Sequence, residues 1–136
     1  MRWRTLFVIG WLGLAPLAAT ADYPDWAALA EVEVIEVVSV DADGDVRTTP
    51  VWFVLLDGEP YLRTSGSSWL ENLRREPNFG LVIEEQEYTA RAEEVSGEEI
   101  VARVDAASGE KYGWQECFIH VFRTRTPDIL KLSPVP

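Results

Sequence analysis

"VRTTPVWFVLL", residues 46–56, carries the strongest strand signal in the chain. β-Branched and aromatic residues dominate it, and from Val51 to Leu56 odd and even positions alike are apolar. A strand in a one-sided antiparallel sheet alternates apolar with polar residues, because successive side chains point to opposite faces. This segment needs cover on both faces, which predicts a barrel wall whose outer surface is packed as well. Pro50 has no N–H to give to a ladder and predicts an edge or a bulge at that point.

The flanks extend the pattern. "EVEVIEVVSVD", residues 31–41, predicts a strand buried in part on both sides, with Val32, Val34, Val38 and Val40 on one face and Ile35 and Val37 on the other. "DADGD" then turns the chain, with Gly44 free to take positive φ. Asp41, Asp43 and Asp45 have calcium-loop spacing, but Val46 stands where that loop needs glycine, so a hairpin turn is the better reading. Asp57-Gly58 predicts a tight hairpin into the returning strand "EPYLRTS".

"TSGSSWLENLRREPNFG", residues 64–80, places a run of hydroxyls before a short helix that Pro77 stops. Ser68 and Glu71 have capping-box spacing, and Trp69, Leu70 and Leu73 form the apolar stripe. The same hydroxyls, with Gly66, the helix N-terminus and the nearby Arg47 and Arg63, also suit a bound anion. Capping and anion binding both remain open on the residues alone. Residues 78–84 and 87–95 predict a hairpin around Glu85-Gln86. Residues 96–113 predict a second helix with Ile100, Val101 and Val104 inward, and "CFIHVFRT" and "DILKLSP" predict the last strands.

The first residues read differently. "MRWR" is basic, "TLFVIGWLGLAPLA" is apolar and shorter than a membrane span, and small residues end at Ala21. Residues 1–21 are therefore expected to be a removed signal peptide, and residues 22–136 a single exported domain, periplasmic or secreted, with no stable membrane insertion after cleavage. The formal charge of −11 disfavours nucleic acid as a partner. Cys117 is the only cysteine, so no internal disulfide forms. Cys117 and His120 are three apart on an expected strand and face opposite sides.

The order of these pieces carries a resemblance: "R-x-x-P-V-W", a DG hairpin, "Y-L-R-T-S", a short helix with "N-L-R-R-x-P-N", a hairpin, a helix ending "K-Y-G", and "D-I-L-K-L". Over residues 31–133 the chain resembles the pyridoxamine 5′-phosphate oxidase-like split β-barrel. "WLENLRREPNFGLVI" and "RTTPVWFV" are most similar to its deazaflavin-dependent nitroreductase branch. The resemblance implies a mainly β (α+β) fold, a six-stranded antiparallel Greek-key split β-barrel with two short helices, homodimeric. It implies an FMN or deazaflavin cofactor, with haem less favoured, bound at the subunit interface, and reduction of a small molecule. A cofactor-free or haem-binding barrel without redox catalysis is the alternative.

By the same resemblance, Arg47, Thr49, Pro50 and Trp52 would meet the cofactor from the strand. Thr64, Ser65, Ser67 and Ser68 would meet its phosphate from the loop, and Trp69 and Asn72 would contribute from the helix. Lys111, at the end of the second helix, is a further candidate for a ligand phosphate across the dimer, or else compensates the helix dipole. Many FMN-binding members carry a lysine where Trp69 stands. Trp52, Trp69 and Trp114 are candidates to stack on the ring, or else to pack a core or dimer contact. No catalytic acid or base is implied, because in such proteins the cofactor carries the chemistry.

Overall fold

The computed structural model describes residues 22–113 and 126–136. A 3₁₀ turn, Trp26–Leu29, precedes β1 (Val34–Val40), β2 (Val46–Leu56), β3 (Glu59–Thr64), α1 (Ser68–Arg75), β4 (Asn78–Ile83), β5 (Gln86–Val95), α2 (Glu98–Tyr112) and β6 (Asp128–Ser133). The six strands close a barrel in the order β1-β2-β3-β6-β5-β4, with antiparallel pairing throughout. The expected signal peptide, Trp114, Cys117, His120 and the strand expected at "CFIHVFRT" lie outside the described residues. Among the described residues, no helix is long and apolar enough to cross a membrane.

β2 has the two covered faces its sequence demands. Val51, Phe53 and Leu55 join the barrel interior with Ile35, Val37, Leu62, Leu81 and Leu132. Trp69, Leu70 and Leu73 of α1 belong to the same cluster. On the outer side, Trp52, Val54 and Leu56 meet Val104, Tyr112 and Ile129, so α2 is the cover. Each aliphatic side chain fully withdrawn from water in this way contributes roughly 1.5–3 kcal/mol. α1 stops at Arg75 because residue 76, ahead of Pro77, is pushed into extended backbone.

One expectation is refined and two are corrected. β1 is fully buried on one face, where Ile35, Val37 and Ser39 point inward; on the other face Val38 is half-buried and Val34 and Val40 are about half exposed. The reason is that α2 covers β2 and, among the described residues, does not extend over the outside of β1. The β4–β5 turn sits at Glu84-Glu85, one residue early, and both residues take positive φ, 50° and 71°. The capping box does not form. Ser68 is the first helical residue and Ser67 holds the N-cap, with no side-chain cap bond. The Ser67 hydroxyl instead accepts from Thr64 Oγ1 at 2.9 Å, and Glu71 accepts from Arg74.

Candidate functional site: a groove where two strands part

β2 exchanges neighbours midway. Residues 46–52 pair with β1, and Phe53–Leu56 pair with β3. β3 for its part turns away after Leu62, and Arg63 and Thr64 pair with Ile129 and Asp128 of β6. The parting opens a groove of about 810 Å³. Pro50 lies on its lip. There it faces Glu36 of β1 and, among the described residues, no strand on the other side, so the missing N–H breaks no ladder toward β3.

Aromatic side chains make the walls. Trp52 stacks flat on Tyr112, ring centroids 4.1 Å apart and planes 5° from parallel. Trp69 enters from α1 and Tyr61 from β3. Val104 and Ser108 close the side formed by α2, where spacing of four residues puts them on one stripe with Tyr112. The Tyr112 hydroxyl accepts the Phe53 N–H at 3.1 Å and donates to Glu33 O at 2.7 Å, with Phe53 O also within 3.0 Å. Burial first, and then the Glu33 charge, push this phenol up to about 12, against the opposing pull of its backbone bond at Phe53.

One end of the groove is polar. Thr64 and Ser65 line it, beside Arg63. Arg63 alternates with the core residue Leu62, so it shares the outward face of β3 with Tyr61. Its Nη1 donates to Asp105 Oδ1 of α2 at 2.6 Å, and both side chains are largely buried. The groove therefore offers flat apolar surfaces, hydroxyls, and one guanidinium whose charge a carboxylate already balances. These groups fit a planar ring with an anionic edge.

Of the residues singled out in the sequence, Pro50, Trp52, Thr64, Ser65 and Trp69 come together here. Ser67 and Ser68 stand next to them at the start of α1. Arg47 lies apart, exposed, with its Nε on Asp41 Oδ1 at 2.8 Å, and Thr49 pairs with Val37. Asn72 is buried, and its Nδ2 donates to Ser39 Oγ at 3.0 Å and Asp41 Oδ1 at 2.8 Å, while its Oδ1 accepts from Arg75. These bonds tie α1 to the β1–β2 hairpin. Lys111 lines a separate cavity. Tyr61, Val104 and Ser108 were not anticipated as groove residues. The legible signals were the Tyr-x-Arg alternation on β3 and a small serine within the apolar stripe of α2.

No protein-family model matches the chain, and no curated protein matches it in sequence. Solved structures do share its fold. A conserved hypothetical protein of Mycobacterium tuberculosis superposes with a TM-score of 0.67 at 21% identity, over 82% of this chain and 79% of its own. The haem storage protein HutZ of Vibrio cholerae gives 0.64 at 19% identity, over 83% and 89%. A haem-binding protein of Mycobacterium smegmatis gives 0.56 at 21% identity, over 76% of this chain and 47% of its own, so this chain spans about half of it. A putative pyridoxamine 5′-phosphate oxidase of Listeria innocua shares the fold as well, with a TM-score of 0.58 at 18% identity over 82% of this chain and 90% of its own.

The similarity does not single out the deazaflavin branch from haem-binding proteins. It also corrects the ordering of cofactors. Haem was ranked below FMN and deazaflavin, yet haem-storage and haem-binding proteins are among the chains that share this barrel. The residues that singled out flavin were short motifs on the strand and helix, and those motifs build the barrel whatever ring it holds.

Proposed function

We propose that this protein is a split-barrel binding protein that holds a flat aromatic ligand with an anionic substituent, and that haem is a ligand of the right class. The observation that carries the reading is the groove itself. Trp52 is fixed flat by Tyr112, Trp69 and Tyr61 flank it, and Arg63, Thr64 and Ser65 gather at one end. Stacking would supply most of the affinity, since aromatic faces lose little entropy on ordering. Arg63 and the hydroxyls would orient a carboxylate or phosphate at the polar end. Any electron chemistry would belong to the bound ring. The chain's part is to stack, exclude water and hold the anion.

For haem, Tyr61 is the side chain of an iron-ligating type among the described residues of the groove, and His120 is the candidate outside them. A homodimer and export from the cytoplasm belong to the same proposal. Val40 and its cross-strand partner Val46 support the dimer, because both are exposed apolar residues on the outside of the β1–β2 hairpin.

The test is spectroscopic. The purified protein is incubated in turn with haem, FMN and a deazaflavin, and the absorbance that travels with it through gel filtration is read. A retained Soret band that Trp52→Ala weakens supports the binding reading. Absence of any retained chromophore overturns it. A retained flavin band that turns over with a reductant would restore the oxidoreductase reading.

A further inference from the structure

The chain contains two lysines, Lys111 and Lys131, and they stand in different surroundings. Lys131 lies on β6 with Glu59 at 3.9 Å, a surface ion pair. Lys111, in the last turn of α2, lines a cavity of about 410 Å³ distinct from the groove. The cavity's apolar lining comes from Ala30, Val54, Leu55 and Ala107, and Glu31, Glu33 and Glu110 line it as well. The Lys111 Nζ donates to Phe53 O at 3.1 Å and lies 3.4 Å above the centre of the Phe53 ring.

We propose that Lys111 is a reactive amine, and that this second cavity takes a small uncharged aldehyde which condenses with it. Three features place the chemistry there. The bond to Phe53 O uses one N–H and fixes the direction of the amine. The cavity that Lys111 lines, at about 410 Å³, has room for a ligand the size of a substituted benzaldehyde. The surrounding carboxylates disfavour an anionic aldehyde, so the class is uncharged.

Protonation supports this geometry. Burial lowers the ammonium to about 8, against the opposing attraction of Glu31 and Glu33. The other groups facing it are Glu110 and Tyr112 of its own helix, with the Tyr112 ring centre 5.3 Å from Nζ. Near neutral pH a useful fraction of the amine is unprotonated. In the reaction its lone pair attacks the carbonyl carbon and a C–N bond forms. The carbonyl oxygen collects the two amine protons and leaves as water, giving an imine with no oxidant or reductant required.

The experiment compares the two lysines within one molecule. The purified protein is treated near neutral pH with limiting 4-acetamidobenzaldehyde, then with borohydride to trap the imine, and the labelled sites are mapped by mass spectrometry. Lys111 is expected to label ahead of Lys131 by roughly tenfold or more, because burial leaves more of its amine unprotonated. The preference should vanish in denaturant and shrink with 4-formylbenzoate, which carries a negative charge. Lys131→Arg, with Lys111 as its remaining lysine, should label as the parent protein does. Equal labelling of the two lysines in the folded protein, or a lead for Lys131, overturns the proposal. So does a Lys111 preference that survives denaturation, because it would then owe nothing to the cavity.

Discussion

Tyr112 supports Trp52 twice over: their rings stack at 4.1 Å, and the Tyr112 hydroxyl bonds the backbone of Phe53, the next residue along β2. The helix thus fixes a groove wall and the strand that bears it. Tyr112→Phe keeps the ring and leaves the buried Phe53 N–H without this partner, at a cost of about 1–3 kcal/mol. Tyr112→Leu also removes the stack, worth a further ~0.5–1.5 kcal/mol. Urea unfolding should rank the two in that order. In the ligand titration, Tyr112→Phe should bind nearly as the parent does, and Tyr112→Leu should bind more weakly. Equal binding by both would mean that Trp52 needs no support.

Arg63 and Asp105 make a second testable pair. A ligand anion at the polar end must share Arg63 with the Asp105 carboxylate already 2.6 Å away. Asp105→Asn keeps the shape and removes that competing charge, so affinity for an anionic ring should rise several-fold. The fold should lose roughly 1.5–3 kcal/mol with the charge-assisted bond. Arg63→Met should weaken the same ligand. If Asp105→Asn leaves the affinity of an anionic ring unchanged, the anion does not sit at Arg63.

Asn72, a candidate on α1, also ties the fold together. Its amide joins Ser39 and Asp41 of the hairpin to α1 and Arg75. Asn72→Ala leaves the buried Ser39 hydroxyl short of this bond and opens space in the core, so a loss of about 2–3 kcal/mol is expected. Ligand affinity, measured well below the unfolding midpoint, should change less than it does for Trp52→Ala. The reverse ranking would return Asn72 to the binding site.

The sequence was informative where structure is local. The bounds of β2, the Asp57-Gly58 hairpin and the helix stopped by Pro77 were legible because one strand, one turn or one proline sets each. The need for cover outside Val54 was legible too, since no alternation hides there. The exposed side of β1 was not: Val34 and Val40 look like core, and only the position of α2 shows that nothing among the described residues covers them. The groove depends on β3 leaving β2 after Leu62, a long-range pairing that no short motif encodes. Ring identity was least legible, because aromatic walls and one paired arginine suit haem and flavin alike.

Stability should depend on alkaline pH with two opposite signs. Lys111 has a folded value of about 8 against an ordinary 10.5. Between these the unfolded chain holds a proton that the folded chain has released, so this group makes stability rise with pH. Tyr112 has a folded value of about 12 against 10.0. Above its unfolded value the folded chain keeps a proton that the unfolded chain has lost, so stability falls. Tyr23, raised chiefly by burial, adds to the fall. The urea midpoint should therefore climb from about pH 8 to about pH 10 and flatten or decline beyond. Lys111→Met should erase the climb and keep the decline. A climb that persists in Lys111→Met would assign it to another group.

The β4–β5 turn offers a gain in stability. Glu84 and Glu85 both take positive φ, the backbone of a two-residue hairpin turn that favours Asn-Gly. Each L-residue with a side chain pays roughly 1 kcal/mol to sit there, and asparagine and glycine pay less. The two adjacent carboxylates also repel each other on a chain of net charge −11. Replacing the pair, Glu84→Asn with Glu85→Gly, should raise stability by about 1–2 kcal/mol. The change lies away from the groove-lining residues, so ligand titration should be unaltered while the urea midpoint moves upward. A midpoint that stays put or falls would show that the glutamates hold the turn by contacts that outweigh their backbone strain.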